Sequence, residues 1–86
     1  MRLSFTERFR GAYRSLRPEI QAKVDKALRL LAEDPRHPSL HLKKIRGTEG
    51  IWEARVGLHH RITLQLNDDG YLLRNVGKHD EALSKP

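Results

Sequence analysis

The hydrophobic period of this 86-residue chain changes at Leu40, and that change constrains the fold more than any other feature. Before Leu40, apolar side chains recur one helical turn apart, which is typical of amphipathic helices. After it, apolar and polar side chains alternate, as they do in a strand with one buried face. The sequence therefore predicts an α+β fold in which helices precede most of a sheet, as one domain over residues 1–86.

The first 40 residues predict a short strand and then a pair of helices. Residues 1–5, "MRLSF", suit a strand, and Thr6 is a favourable N-cap for a helix that runs to about Leu16. Pro18 suits the first turn of a second helix, where its missing N–H is no loss. Pro35 ends this helix because it disfavours a helical conformation at the residue before it. We expect the two helices to form a hairpin on one face of the sheet.

The stretch "WEARVGLHHRITLQL" predicts a β-hairpin whose register follows from its apolar side chains. Because cross-strand partners share a face, the two apolar sets must pair with each other. We expect Val56 opposite Ile62 and Ala54 opposite Leu64, with a three-residue loop at residues 58–60. The apolar face of this hairpin is expected to pack on the helices.

The other face of the hairpin carries two arginines and is expected to be open to solvent. In the expected register Arg55 lies opposite Thr63 and Arg61 opposite Gly57, so both guanidinium groups project from one face, a diagonal step apart. They would repel each other unless an anion joined them, and guanidinium groups suit phosphate oxygens. The alternative is that Arg55 pairs with a carboxylate such as Glu53 on a solvated face.

A last strand, "YLLRNV", follows the turn signal "NDDG" and is expected to run antiparallel to the second hairpin strand. It would bring His79 beside the hairpin loop and close to Arg61. Imidazole titrates near neutral pH, so His79 is the best candidate for proton transfer, the alternative being a polar residue at a strand end. The adjacent His59 and His60 point apart and make a weak case for metal ligation. Trp52 is expected in the core rather than as a base-stacking surface.

The charge of the chain favours an anionic partner. Lys and Arg number 17 against 11 Asp and Glu, which gives a net charge of +6. Such an excess favours a polyanion or an acidic protein as partner, although a soluble domain can also be basic without one. The chain has no cysteine, which excludes disulfides and thiolate zinc sites, and no apolar run that suits a signal peptide or a membrane span. We therefore expect a cytoplasmic protein that does not bind membranes.

Five short motifs occur in a characteristic order and spacing: "LKKIRG", "GIW", "EARV", "HHRI" and "VGKH". In these motifs, and more loosely over nearly the whole chain, the sequence resembles the RelE/ParE toxin superfamily of bacterial type II toxin–antitoxin systems. The resemblance implies two N-terminal helices packed on one face of a twisted, mainly antiparallel sheet of four or five strands.

For the RelE branch, the resemblance implies a ribosome-dependent endoribonuclease that cleaves translated mRNA without a metal or another cofactor. A ribose 2′-OH attacks the adjacent phosphate, giving a 2′,3′-cyclic phosphate and a 5′-OH end, while cationic side chains stabilise the developing charge. The resemblance implies catalytic roles for Arg55, Arg61 and His79. It implies RNA binding by Lys43, Lys44, Arg46 and Lys78, and it leaves two candidate general bases, Glu53 and Asp80.

Two other functions stay open. The ParE branch implies an inhibitor of DNA gyrase, although its members tend to lack the cluster of Arg55, Arg61 and His79. A catalytically inactive relative would only bind an antitoxin or RNA. The resemblance implies a cognate antitoxin as partner beside the ribosome and mRNA, and any contact with operator DNA is expected through that antitoxin. The tail "ALSKP" departs from the family, since it is too short for a substantial C-terminal helix.

Overall fold

Five strands form one sheet in the computed structural model, which describes residues 1–86. The strands are β1 (Arg2–Phe5), β2 (Lys43–Lys44), β3 (Ile51–Val56), β4 (His60–Leu66) and β5 (Gly70–Lys78). Their order across the sheet is β1-β5-β4-β3-β2. β1 pairs with β5 in parallel, and every other neighbouring pair is antiparallel. The predicted α+β fold with a mainly antiparallel sheet is confirmed.

Three α-helices and a 3-10 turn complete the chain: α1 (Glu7–Arg14), α2 (Pro18–Glu33), the turn Pro38–Leu40, and α3 (His79–Ser84). Thr6 caps α1, because its hydroxyl oxygen accepts a hydrogen bond from the Phe9 N–H at 3.0 Å. The predicted positions of both N-terminal helices are confirmed, with α1 ending two residues before the predicted end. No helix combines the length and the apolar composition that a membrane crossing requires.

The hydrophobic core lies between the helix pair and one face of the sheet. In it, α1 packs against β5 and α2 against β3. The core contains Phe9, Val24, Ala27, Leu31, Leu40, Ala54, Val56, Ile62, Leu64, Tyr71, Leu73 and Val76. Trp52, expected in the core, packs against it but is only partly buried, because β3 is covered on its outer side by the two-residue strand β2 alone.

Gly70 allows β1 to lie against β5. A Cβ atom at this position would overlap the main-chain oxygen of Arg2, its neighbour across the parallel pair. The turn before it is closed by Asn67, whose side-chain oxygen accepts the N–H groups of Asp69 at 3.1 Å and of Gly70 at 2.8 Å. The N-terminal strand therefore depends on a glycine that is more than 60 residues distant in sequence.

The predicted register of the β3–β4 hairpin is wrong by two residues. Ala54 pairs with Ile62 and Val56 with His60, so the loop is residues 57–59 rather than 58–60. Gly57 has a φ of +63°, a left-handed conformation that turns the chain directly after Val56. Because the error is an even number of residues, every side chain keeps its predicted face.

The tail forms a helix that the sequence did not predict. The six residues of α3 lie against β4 and β5 on the face opposite α1 and α2, and the Ala82 side chain is fully buried there. The sequence predicted that the arginine face of the hairpin is open to solvent. In the structure α3 covers part of that face. A short helix can hold this position because its small buried side chain lets it approach the sheet closely.

We expect Thr6→Ala to lower the free energy of unfolding by about 2 kcal/mol. The substitution removes both the α1 cap and a second hydrogen bond, at 2.9 Å, in which the hydroxyl donates to the main-chain oxygen of Arg74 in β5. Urea denaturation measures the change. Ser15→Ala is the control, since that exposed hydroxyl bonds only the main-chain oxygen of Gly11, and an equal loss in both variants would contradict the prediction.

Candidate phosphate-binding site

A cavity of about 420 Å³ opens on the arginine face of the sheet, between β2, β3, β4 and the start of α3. It is lined by His41, Leu42, Lys43, Glu53, Arg55, Arg61 and His79. All three side chains singled out as catalytic from the sequence line this one cavity. We call it the arginine cavity.

The β3–β4 register places Arg55 directly opposite Arg61, rather than opposite Thr63 and Gly57 as expected. Arg55 is exposed, whereas only 9% of Arg61 is accessible. The Nη1 atom of Arg61 donates to the main-chain oxygen of His60 at 2.8 Å, which fixes the direction of the guanidinium group. One cation is therefore held rigidly in the wall of the cavity and the other is free to close on a ligand.

Glu53 is the anion that compensates for the buried arginine. Its Oε1 atom lies 3.7 Å from Nε of Arg61, and each side chain is 10% exposed. The alternative pairing of Glu53 with Arg55, considered from the sequence, does not occur among the ion pairs. With Glu53 paired to Arg61, Arg55 and Lys43 supply the excess positive charge of the cavity.

His79 reaches the cavity from the first position of α3. The main-chain N–H of His79 donates to the main-chain oxygen of His59 at 2.8 Å. This hydrogen bond connects the end of β5 to the hairpin loop. The imidazole is half exposed, and its Nδ1 atom lies 3.0 Å from Oδ1 of Asp80. Because the Asp80 carboxylate occupies Nδ1, the Nε2 atom is left free for a ligand.

Not all of the basic residues predicted to bind RNA gather at the cavity. Lys43 lines it, but Lys44 pairs with Trp52 and so belongs to the opposite face. Arg46 is exposed in the turn between β2 and β3. Lys78 pairs with His60, also on the opposite face.

A bulge in β5 accounts for the position of Lys78. Thr63 pairs with Asn75 but Leu64 with Leu73, so β5 contains one extra residue, Arg74. The bulge reverses the alternation of the rest of the strand. It moves Lys78 off the arginine face, and it leaves the Arg74 side chain on that face, where Nη1 donates to Oε1 of Gln65 at 3.1 Å.

A second, shallower depression of about 640 Å³ adjoins the arginine cavity and shares His79 with it. Its lining consists of Leu58, His59, His60, Lys78, His79, Asp80 and Glu81. Despite the three histidines, no group of three or more His, Asp or Glu side chains here or elsewhere is arranged to hold a metal ion.

The pKa of His60 is lowered from its ordinary value of 6.5. Burial is the main cause, because it disfavours the charged imidazolium. The positive charges of Lys78, His59 and Lys23 lower the pKa further, and Glu81 acts weakly in the opposite direction. The imidazole of His60 is therefore a neutral group under conditions in which an ordinary histidine is partly charged.

Sequence reasoning missed His41 in the arginine cavity. It follows the 3-10 turn Pro38–Leu40 and adopts a φ of +44°, which is uncommon for a residue with a side chain. The only sequence signal was Pro38, which predicts a turn before β2 without indicating its direction.

The arrangement suits a phosphate and a proton transfer. Two guanidinium groups and an ammonium group offer charge-assisted hydrogen bonds to phosphate oxygens. An imidazole with one free nitrogen stands at the rim of the same cavity, where it can give or take a proton. A carboxylate, Glu53, completes the set of ionisable groups.

Comparisons with known proteins identify the family and the fold of this chain. The profile of one protein family, described as "ParE toxin of type II toxin-antitoxin system, parDE", matches residues 3–83. No curated protein has a sequence that matches this chain.

Three solved structures illustrate the similarity of the fold. The RelB–RelE antitoxin–toxin complex from Methanococcus jannaschii is 20% identical with a TM-score of 0.76, over 96% of this chain and 99% of that one. The intact RelBE toxin–antitoxin complex of E. coli is 25% identical with a TM-score of 0.69, over 88% and 93%. YafQ from E. coli strain BL21(DE3) is 13% identical with a TM-score of 0.78, over 93% and 94%.

We expect Glu53→Ala to lower the free energy of unfolding by about 3 kcal/mol, because it leaves the buried Arg61 without its compensating charge. Urea denaturation measures the loss. Arg55→Ala removes a charge from the same cavity at an exposed position, so it should leave stability nearly unchanged. Similar small effects in the two variants would show that the Glu53–Arg61 pair does not stabilise the fold.

The lowered pKa of His60 predicts a loss of stability in mild acid. Protonation favours the unfolded chain, so the stabilisation is present above the unfolded-state pKa of 6.5 and is lost as the pH falls through the lower folded-state pKa. His60→Gln should flatten the stability profile as the pH falls below the unfolded-state pKa of 6.5. His59→Gln, at an exposed position, is the control, and a profile unchanged by His60→Gln would contradict the prediction.

Proposed function

This chain belongs to the ParE toxin family of type II toxin–antitoxin systems, and we propose that it exerts its toxicity as a ribosome-dependent endoribonuclease that cleaves translated mRNA. One observation carries the proposal: Arg55, Arg61 and His79 line the same cavity. A toxin that acted only by binding another protein would not need an imidazole beside paired guanidinium groups. A cognate antitoxin neutralises toxins of this class, and any operator binding by this system falls to the antitoxin.

The scissile phosphate lies between Arg55 and Arg61 in this proposal. The 2′-OH of the preceding ribose attacks phosphorus, the bond to the 5′ oxygen breaks, and the products end in a 2′,3′-cyclic phosphate and a 5′-OH. The two guanidinium groups stabilise the additional negative charge of the pentacoordinate phosphorane. Because Arg61 is already fixed by its bond to the His60 carbonyl, little reorganisation is needed when that charge develops.

His79 acts as the general acid. In the imidazolium form, Nδ1–H donates to Asp80 and Nε2–H protonates the departing 5′ oxygen. The carboxylate thus orients the ring and stabilises its charge. This role suits Asp80 better than that of general base, because its side chain is fully exposed and does not line the arginine cavity.

Glu53 is the general base in this scheme. It is the only carboxylate among the residues that line the arginine cavity, where it can accept the proton of the 2′-OH. Lys43 lies across from Glu53 on β2 and contacts the RNA backbone. Lys44, Arg46 and Lys78 would meet RNA only outside the cavity.

Inhibition of DNA gyrase is the second candidate function. The observation in its favour is that the matching family is described as ParE. In that case the toxin would bind gyrase without cleaving nucleic acid, and the cavity histidine would be dispensable.

We expect His79→Ala and Arg55→Ala to reduce mRNA cleavage by about 10²-fold or more, since each removes a group that acts in the transition state. The His79 side chain is half exposed and Arg55 is exposed, so the loss is not caused by unfolding. Induction of each variant in a bacterial host, followed by mapping of mRNA 5′ ends, measures cleavage. Arg14→Ala, an exposed charge on α1, serves as the control.

Cleavage within ribosome-occupied codons that depends on His79 supports the proposal. DNA breaks and an SOS response, with mRNA ends unchanged and full toxicity of His79→Ala, would instead assign the toxin to the gyrase-inhibiting branch.

A further inference from the structure

A second group of donors lies on the arginine face outside the arginine cavity. It consists of Thr63 from β4, Arg74 from the bulge in β5, and Arg8, whose side chain reaches Pro86 from α1 on the other side of the sheet, and we call it the tail site. All three side chains donate to the main-chain oxygen of Pro86: Nη2 of Arg8 at 2.8 Å, Oγ1 of Thr63 at 3.0 Å and Nε of Arg74 at 3.2 Å. The last residues of the tail therefore rest on this site.

The donor set of the tail site is that of a site for an anionic oxygen. Three donors, two of them cationic, converge on one oxygen of Pro86, which as the last residue carries a carboxylate rather than a neutral carbonyl. Neither guanidinium group lies within 4.0 Å of an Asp or Glu carboxylate, and the ion pairs of the protein involve other residues. A phosphate oxygen can accept the same charge-assisted bonds.

Two of the three donors of the tail site also have contacts outside the tail. Arg74 is fixed by its hydrogen bond to the Gln65 side chain, and Nε of Arg8 also lies 3.4 Å from the main-chain oxygen of Arg74. Thr63 is fully buried, and its hydroxyl makes its one hydrogen bond to the Pro86 oxygen. When the tail leaves, Arg74 and Arg8 keep these contacts, whereas the buried Thr63 hydroxyl loses its only acceptor and needs a new one.

The tail site continues the arginine cavity along the same face. Thr63 is two residues beyond Arg61 on β4, a distance of about 6.7 Å. This distance is comparable to the step between neighbouring phosphates in an extended single strand. The β5 bulge is essential here, since it is the bulge that adds the Arg74 guanidinium group to this face.

We infer that Arg8, Thr63 and Arg74 form a second phosphate subsite, which binds the backbone phosphate next to the one held by Arg55 and Arg61. Residues 85–86 occupy this subsite in the free protein, so the tail and the RNA compete for it. The inference rests on the proposed function, because it takes single-stranded RNA as the ligand of this face.

Fluorescence anisotropy with a short labelled single-stranded RNA tests the subsite through binding rather than cleavage. Arg8→Gln should weaken binding about tenfold, through loss of a charged hydrogen bond. It should also reduce the slope of log affinity against log salt by about 0.7. Arg14→Gln removes the same charge from an exposed position on the same helix and should have a much smaller effect. Equal effects of the two substitutions would overturn the inference.

Removal of residues 85–86 tests the competition. The shortened protein should bind the RNA several-fold more tightly, and this gain should disappear when Arg8→Gln and Arg74→Gln are both present. Unchanged or weaker binding by the shortened protein would mean that the tail is a structural latch, and the inference would be wrong.

Failure of the subsite and failure of the proposed function are distinguishable. Binding with the expected variant pattern but without ribosome-dependent cleavage would reject the proposed function alone. If the RNA does not bind at all, the subsite is tested by titrating the protein with inorganic phosphate and following its amide signals by NMR. A shift of the Thr63 amide signal that is lost in the Arg8→Gln, Arg74→Gln protein supports it, and no shift overturns it.

Discussion

The pairing of Arg55 with Arg61 across the β3–β4 hairpin is the interaction on which the site depends. Two like charges on opposed strand positions are unfavourable, and the pair persists because the other face of the same hairpin is buried. There Ala54 pairs with Ile62, and neither side chain is accessible to solvent. Burial of apolar surface, the larger free-energy contribution, holds together cations that would otherwise separate. The same strands thus supply both stability and charge.

The two faces of the sheet are covered in different ways, and the difference makes room for a site. The helix pair seals one face with large apolar side chains. On the other face, Ala82 is the only buried side chain of α3. The helix therefore lies close to β4 and β5 without filling the space beside β3. The start of α3 therefore brings His79 to the rim of the arginine cavity, and its end brings Pro86 onto Thr63.

Sequence reasoning found the elements and the faces but not the details that depend on single residues. Alternation determines which face a side chain takes, and so Arg55 and Arg61 were correctly assigned to one face. It does not determine register, which depends here on the left-handed turn at Gly57. The β5 bulge has no signature in the apolar pattern, so the pattern could not indicate that Lys78 lies on the face opposite the arginines. The six residues of α3 are too few to establish a helical period.

The Glu53–Arg61 pair raises the question of how an arginine that is already neutralised could assist catalysis. In the proposed reaction, Glu53 loses its charge when it accepts the 2′-OH proton, at the stage when the phosphorane gains a second negative charge. The attraction of Arg61 then passes from the carboxylate to the phosphorane without movement of the guanidinium group, which the His60 carbonyl holds in place. An interaction that strengthens only as the transition state forms lowers the barrier, whereas one that binds substrate equally well does not. In this scheme the buried carboxylate makes Arg61 selective for the transition state, while the exposed Arg55 contributes to binding of the substrate phosphate as well.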